Sequence, residues 1–363
     1  MNVLLICRTL DGCGGMETMI RTLLKGLNAT LHQNASLLIL NFSHKRARSL
    51  TWKESLPITE LHSSVPRFLL HYRYLFTVAE YVKKHRIDAV ICADEHCVHI
   101  ADLARRVFHL NFKLVSWMHF SLHTIKRTRL GWLKVADANI AISRPIASQL
   151  TSIDCKNVFT LFNCVTEKNY LLSDNAFSPE SPQRKKAKFL YIGRLTFDGQ
   201  KRIRFMLQGL SSLSFAWELH LVGAGDIARL KAYASDLGLT DKVIFHGWQK
   251  DPWAYIEETI GSVSCTLLTS AFEGMPMALI ESISFGIPCI SSDCQSGPAD
   301  IIRNGENGYL FDTDSLPSFV EALEKIYIKG VALDSRQIQE QGKPFYSESY
   351  FGKINEILAG TET

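Results

Sequence analysis

The chain has 363 residues, 46% of them hydrophobic and 21% charged, which excludes wholesale disorder and leaves enough apolar material for two domain cores. The net charge of +4 is unevenly spread: residues 1–170 hold 22 Lys/Arg against 12 Asp/Glu, and residues 171–363 hold 18 against 24. The basic first half favours an anionic partner, while the absence of any apolar run of ~18–20 residues excludes a helical membrane span and the opening Met1-Asn-Val-Leu-Leu-Ile-Cys-Arg8 lacks the features of a secretory leader, so a cytoplasmic location is expected.

Buried-strand patterns at 3–7, 36–42, 89–93, 113–117 and 138–142 alternate with helical spacing at 18–27 and 67–84, and with a helix opening at Ser143-Arg-Pro145. Ser143 is the expected N-cap and Pro145 lies in the first turn. This βαβα rhythm predicts a parallel sheet covered on both faces. Residues 173–188, polar and with two prolines, read as an interdomain linker. The rhythm then restarts, with strands at 189–192, 220–222, 243–245, 265–268 and 288–291. Helices are expected at 203–213, 277–285 and 316–327, and a last helix at 344–358. The nine cysteines are scattered, without Cys-x-x-Cys or zinc spacing, and read as reduced, buried residues.

Four stretches could carry chemistry. Asp11-Gly-Cys-Gly-Gly-Met-Glu17 joins the first strand to the first helix, where Gly14 and Gly15 allow close backbone approach to a phosphate at the helix N-terminus. It lacks the third glycine of the dinucleotide fingerprint and the acidic residue after the second strand, which weakens a nicotinamide- or flavin-dependent oxidoreductase reading. Tyr191-Ile-Gly-Arg-Leu-Thr-Phe-Asp-Gly-Gln-Lys-Arg202 places Arg194 and Lys201 on a loop at a strand end, two cations suited to a diphosphate. Ala271-Phe-Glu-Gly-Met-Pro-Met-Ala-Leu-Ile-Glu281 puts Glu273 in a loop and Glu281 about two turns into the next helix, where carboxylates can accept from sugar hydroxyls. His119, in Ser116-Trp-Met-His-Phe-Ser-Leu-His123, falls just beyond a strand, although a lone histidine is more often structural. Asp312-Thr-Asp314 reads as turn or capping chemistry rather than a metal site, and no metal site is expected.

Taken in order, these motifs resemble the GT-B retaining glycosyltransferases of family 4, group 1. The matching residues are Gly14-Gly15, Gly193-Arg194-Leu195 with Lys201, Leu221-Val-Gly-Ala-Gly225, His246-Gly-Trp248, Ser270-Ala-Phe-Glu-Gly-Met-Pro276 through Glu281, Gly286-Ile-Pro288 and Asn307-Gly308. Within that family, Asp198-Gly-Gln-Lys-Arg202, Leu267-Leu-Thr-Ser-Ala-Phe-Glu-Gly274 and Ser296-Gly-Pro298 are similar to the lipopolysaccharide-core 1,6-galactosyltransferases of enteric bacteria.

The resemblance implies two Rossmann-like domains facing each other across a cleft: an acceptor-binding domain at 1–172, a linker at 173–188, a nucleotide-sugar domain at 189–343, and a terminal helix at 344–363 that could cross back to the first domain. It implies a UDP-sugar donor held by Arg194 and Lys201 at the diphosphate, with Gly14 and Gly15 approaching the same phosphates. Glu281 would bind the ribose, Val222, Gly247 and Trp248 would border the uracil, and Glu273, Gly274, Met275 and Pro276 would hold the transferred sugar. His119 would sit beside sugar and acceptor. The implied reaction moves a hexose, galactose in the favoured case, to the lipopolysaccharide core with retention and without cofactor or metal. UDP-glucose and UDP-N-acetylglucosamine are alternative donors. The expected partners are the donor, the core acceptor and the anionic inner-membrane surface, with a peripheral location on its cytoplasmic face. Cations interleaved with aromatics at 67–84 and 126–134 suit that surface, and nucleic acid is not expected.

Overall fold

The computed structural model describes residues 1–8, 14–29, 33–40, 57–61, 69–177 and 186–360. They form two compact units, one of residues 1–163 joined by the chain from Glu348 onward, and one of Cys164–Ser347.

The first unit carries strands β1 (Asn2–Arg8), β2 (Asn34–Leu40), β3 (Ile58–Leu61), β4 (Ala89–Cys92), β5 (Lys113–Met118), β6 (Ala138–Ala141) and β7 (Val158–Thr160). They pair in the order β3-β2-β1-β4-β5-β6-β7, all parallel. Every residue of β4 and β6 is buried, and apart from Asn139 of β6 both sequences are apolar, as expected where helices cover both faces of the sheet. Helices α1 (Gly15–Ala29), α2 (Leu70–His85), α3 (Glu95–Val107) and α4 (Arg144–Ser152) connect the strands.

The second unit repeats the plan with β8 (Ala187–Ile192), β9 (Trp217–Val222), β10 (Val243–Gly247), β11 (Cys265–Leu268), β12 (Cys289–Ser292) and β13 (Gly308–Phe311). Their order is β10-β9-β8-β11-β12-β13, again all parallel. Its helices are α5 (Ile203–Ser211), α6 (Ile227–Asp236), α7 (Pro252–Tyr255), α8 (Met277–Ser284), α9 (Pro298–Ile301), α10 (Leu316–Lys329) and α11 (Ser335–Glu340), and α12 (Ser347–Ala359) ends the chain. In each sheet the strand order reverses beside the first strand, at β1/β4 and at β8/β11. Doubly wound sheets bind ligands outside the carboxyl ends of the strands at such switch points.

The structure departs from the sequence reading at several places. The division between units falls at Asn163/Cys164, ahead of the expected linker at 173–188. Leu172 N donates to Phe285 O, Ser173 bridges Val263, and Ala176 and Phe177 are buried, so 164–177 is built into the second unit; 178–185 lie outside the described residues. The terminal helix joins the first unit from Glu348, later than the expected boundary at 344. Gly26 of α1 leaves room for the ring of Phe351, and Lys113 Nζ donates to Ile357 O at 2.5 Å. Strands β3 and β7 and helices α3 and α6 escaped the sequence reading. Asp94 caps α3 by accepting from His96 N and Cys97 N. Ser143 stands at the N-cap of α4, but its side chain makes no capping bond, since Pro145 removes the N–H that such a cap commonly engages.

Candidate active site

In the second unit the ends of β8 and β9 meet backbone to backbone. Gly193 (φ 151°) donates its N–H to Val222 O, and Gly223 (φ 151°) lies so close that a Cβ there would overlap the Gly193 carbonyl oxygen. Both backbones sit in the positive-φ region open to glycine. A Cβ on Gly225 would likewise strike Leu195 O. Buried Tyr191 fixes the next turn, its hydroxyl donating to Arg194 O at 2.8 Å.

The loop after β8 is fastened to the loop after β11. Gln200 is the joint: its Oε1 accepts from Arg194 Nη2 at 2.7 Å, its Nε2 donates to Phe272 O at 3.0 Å, and its backbone O accepts from Ala271 N at 2.8 Å. Lys201 Nζ forms an ion pair with the Glu273 carboxylate. The side chains are 15% and 8% exposed, so each charge depends on the other for compensation. Arg202 donates to Thr269 O and pairs with Asp314 at 2.7 Å. Asp314 lies in the turn expected from sequence, closed by Ser315 N donating to Asp312 O, and serves there as the ion-pair partner of Arg202.

Ser296 Oγ donates to Glu273 O at 2.5 Å, and Gly297 (φ 94°) packs where a Cβ would lie 2.7 Å from Gly274 O. Gly274, Met275 and Pro276 are buried ahead of α8, with Pro276 at its N-cap. Glu281 is the fifth residue of α8, about 6 Å along the axis rather than two full turns in. Its Oε2 accepts from Trp253 Nε1 at 2.8 Å. Burial raises the carboxyl to about 7, Trp253 and Lys168 oppose the rise, and Asp251 adds to it. Val222 is buried at the end of β9, while Trp248, just past Gly247 (φ 70°), is 62% exposed.

The second unit thus gathers Arg194, Lys201, Glu273, Gly274, Met275 and Pro276 around one strand-end site, with Glu281 following on α8. In the first unit, Gly15 opens α1 and Gly14 O accepts from Thr18 N, with open space where a Gly14 Cβ would go; 9–13 lie outside the described residues. His119 follows β5, buried beside Trp117 with ring centroids 4.1 Å apart. Its Nε2 has no hydrogen-bond partner among the described residues. Burial lowers its pKa to about 3, so the ring is neutral at physiological pH. The sequence reading missed a second group at the β1/β4 switch point. Arg8 pairs with Asp94 at 3.1 Å, and Arg129 Nη1 donates to His96 Nε2 at 2.7 Å. The available signal was position alone, with Arg8 and Asp94 at the ends of the two strands flanking the reversal. Among the described residues no cluster of three or more His, Cys, Asp or Glu is arranged to hold a metal ion.

Two doubly wound parallel units, with an anion-suited loop at the switch point of the second and two glutamates following β11, define a GT-B glycosyltransferase. Residues 13–167 match the family described as Glycosyltransferase Family 4 and residues 186–328 that described as Glycosyl transferases group 1. The chain is 32% identical over 362 residues to the lipopolysaccharide 1,6-galactosyltransferase of Escherichia coli (strain K12), covering 99% of this chain and 98% of the relative. It is 33% identical to the Salmonella typhimurium enzyme of that name, with the same coverage. The chain belongs to this glycosyltransferase family. A solved structure of the lipopolysaccharide outer core galactosyltransferase WaaB in its apo form superposes with a TM-score of 0.88 at 32% identity, covering all of both chains. Anabaena HepE in complex with UDP shares the fold at TM-score 0.76 and 16% identity, covering 98% of this chain and 99% of that one. Family membership sets aside the oxidoreductase alternative.

Proposed function

We propose that the protein transfers galactose from UDP-galactose to the lipopolysaccharide core with retention of anomeric configuration. The observation that carries this reading is the stapled site at β8/β11, where Arg194, Lys201 and Glu273 converge, taken with the full-length likeness to enzymes named for this reaction. Arg194 and Lys201 stabilise charge developing on the departing diphosphate, a task that makes a metal ion unnecessary. Diphosphate binding draws Lys201 toward the phosphates and frees Glu273 to accept from the sugar hydroxyls. Glu281 receives the ribose hydroxyls, and Val222, Gly247 and Trp248 border the base; Gly14 and Gly15, at the first unit's helix start, are suited to a phosphate. Buried, neutral His119 contributes a ring nitrogen to sugar or acceptor without adding charge. The acceptor oxygen bonds the anomeric carbon on the face the UDP leaves as the bond from that carbon to the phosphate oxygen breaks, and the hydroxyl proton passes to the departing phosphate oxygen. The test is a screen of UDP-galactose, UDP-glucose and UDP-N-acetylglucosamine with a truncated core acceptor, in the presence and absence of EDTA. Product is followed by mass and anomeric proton coupling. The expected result is an EDTA-insensitive α-galactoside; no transfer from any donor, or an inverted product, refutes the reading.

The second element of the proposal is contact with an anionic inner-membrane surface on its cytoplasmic side. Of the aromatics at 67–84, Tyr74 is buried, but Tyr72 and Phe76 are exposed, in one row with Leu69. Exposed Leu103 and Val107 of α3 adjoin through the Phe76–Phe108 edge contact, with Arg106, Lys83 and Lys84 nearby. Apolar side chains rimmed by cations fit an anionic lipid interface. Sedimentation with phosphatidylglycerol vesicles, weakened by salt and by Tyr72→Ser with Phe76→Ser, is expected; equal binding to neutral vesicles refutes the electrostatic part.

A further inference from the structure

The loop–helix segment around α7 lies outside every motif that identifies the family, yet it touches two of them. α7 has four residues, capped by the Asp251 carboxylate on Ala254 N. Trp253 is 7% exposed and packs in a core with Leu172, Ile256 and Phe285, its ring centroid 4.5 Å from that of Phe285. Its one polar atom donates to Glu281 Oε2. Two residues on, Tyr255 bonds His246 Nδ1 at 3.0 Å, His246 Nε2 meets His220 Nδ1 at 2.9 Å, and His220 Nε2 meets Glu218 at 3.2 Å. The carboxylate can only accept, so His220 carries its proton on Nε2, His246 donates through Nε2, and Tyr255 donates to His246. Burial lowers the pKa of both histidines, which favours their neutral imidazoles beside the anionic Glu218. His246 is the extra residue of a bulge directly before Gly247-Trp248. α7 therefore fastens the strand end beside the expected base site with one side chain and Glu281 with another.

We infer that Trp253 is a positioning residue for the donor: its indole N–H holds one carboxylate oxygen of Glu281, leaving Oε1, which takes no bond from the described residues, to the ribose hydroxyls. This rests on the UDP-sugar reading above. The physical argument is one of burial. The Glu281 carboxylate, bonded to a tryptophan that packs in the apolar core, loses hydration and needs a donor that does not compete for the ligand-facing oxygen. Trp253 supplies one hydrogen bond and no charge. Glu281 therefore titrates in the neutral range, with Lys168 favouring and Asp251 opposing the anion, and binding that uses the anion strengthens as pH rises through about 7.

The experiment is calorimetric titration of UDP into wild type, Trp253→Phe, Glu281→Gln and the double variant between about pH 6 and 8.5. The phenylalanine keeps the packing against Phe285 and removes only the donor. Trp253→Phe is expected to weaken UDP about tenfold at neutral pH, to move the acid limb of affinity upward by about one pH unit, and to approach wild type at the alkaline end. Glu281→Gln, which retains only UDP's own phosphate titration, is expected to bind weakly. Adding Trp253→Phe to it is expected to change nothing further, because the indole acts through the carboxylate. Equal weakening by Trp253→Phe in both backgrounds marks a packing role and overturns the inference, as does an unchanged affinity and limb. Should Trp253→Phe fail to fold, the wild-type profile decides: coincidence with that of Glu281→Gln overturns it. Wild type that binds no UDP overturns the donor reading itself, whereas UDP binding unaffected by Glu281→Gln removes the ribose role of Glu281.

Discussion

Replacing Lys201 with methionine separates the two tasks assigned to this lysine. Its partner Glu273 is 8% exposed, so the variant leaves a carboxylate with little water and no cation. Breaking a buried pair by removing one partner costs about 3–5 kcal/mol. The destabilisation is thus expected toward the lower end of that range, about 3–4 kcal/mol at neutral pH. For a unit of the size of Cys164–Ser347 it corresponds to a fall of about 6–16 °C in the melting transition at pH 7. The double variant Lys201→Met with Glu273→Gln removes both charges and is expected to recover most of the stability, since neutral replacement of a buried pair is often nearly neutral. Its activity stays lost, because the diphosphate still lacks one of its two cations, a deficit on the order of 10²–10³ in turnover. Scanning calorimetry and the transfer assay provide the readouts. A melting change under 2 °C in Lys201→Met, or purely additive losses in the double variant, refutes the ion-pair argument.

Further expectations follow from individual residues. Gly223→Ala would drive a Cβ into the Gly193 carbonyl and is expected to abolish soluble folded protein, whereas Gly14→Ala, facing open space, should leave the melting temperature within about 1 °C while raising the donor KM; parallel expression and calorimetry compare them. His119, lowered to about 3 by burial, is neutral when folded and binds a proton when unfolded, so its contribution worsens as pH falls below the unfolded value. His119→Leu should therefore reduce the stability lost between pH 7 and pH 5 by about 2 kcal/mol, measured by urea unfolding; an unchanged pH slope contradicts the burial argument. The eight described cysteines are buried, and burial raises their thiols. They should react with a disulfide reagent only after denaturation, as a thiol count before and after guanidine will show.

Most of the architecture was legible because its signals are local. Uninterrupted apolar strands such as Val3–Cys7 and Ala89–Cys92 can persist only under helices on both faces, and the glycines at 193, 223 and 225 punctuate strand ends whatever lies around them. Arg194, Lys201, Glu273 and Glu281 stood out because charged residues so placed between apolar segments have few structural uses. The unit boundary did not, since the polar stretch at 173–188 looks like a linker while the attachment of 164–177 depends on β-bridges and burial involving Val263 and Phe285. Helix α3 was missed although its signal is local: Asp94 at the N-cap and buried apolar residues at 97, 98, 100, 101 and 104 follow helical spacing.

The sequence by itself determined the class of fold, the chemistry of the candidate residues and the order in which they come, because periodicity, turn residues and charge type are properties of adjacent positions. Tertiary structure alone decided their pairing. Lys201 and Glu273 are 72 positions apart, Trp253 and Glu281 are 28 apart, and nothing in either neighbourhood announces the partner. Those pairings arise where parallel strands deliver distant loops to one edge of a sheet, and removal from water makes each charge depend on whatever the fold has brought beside it.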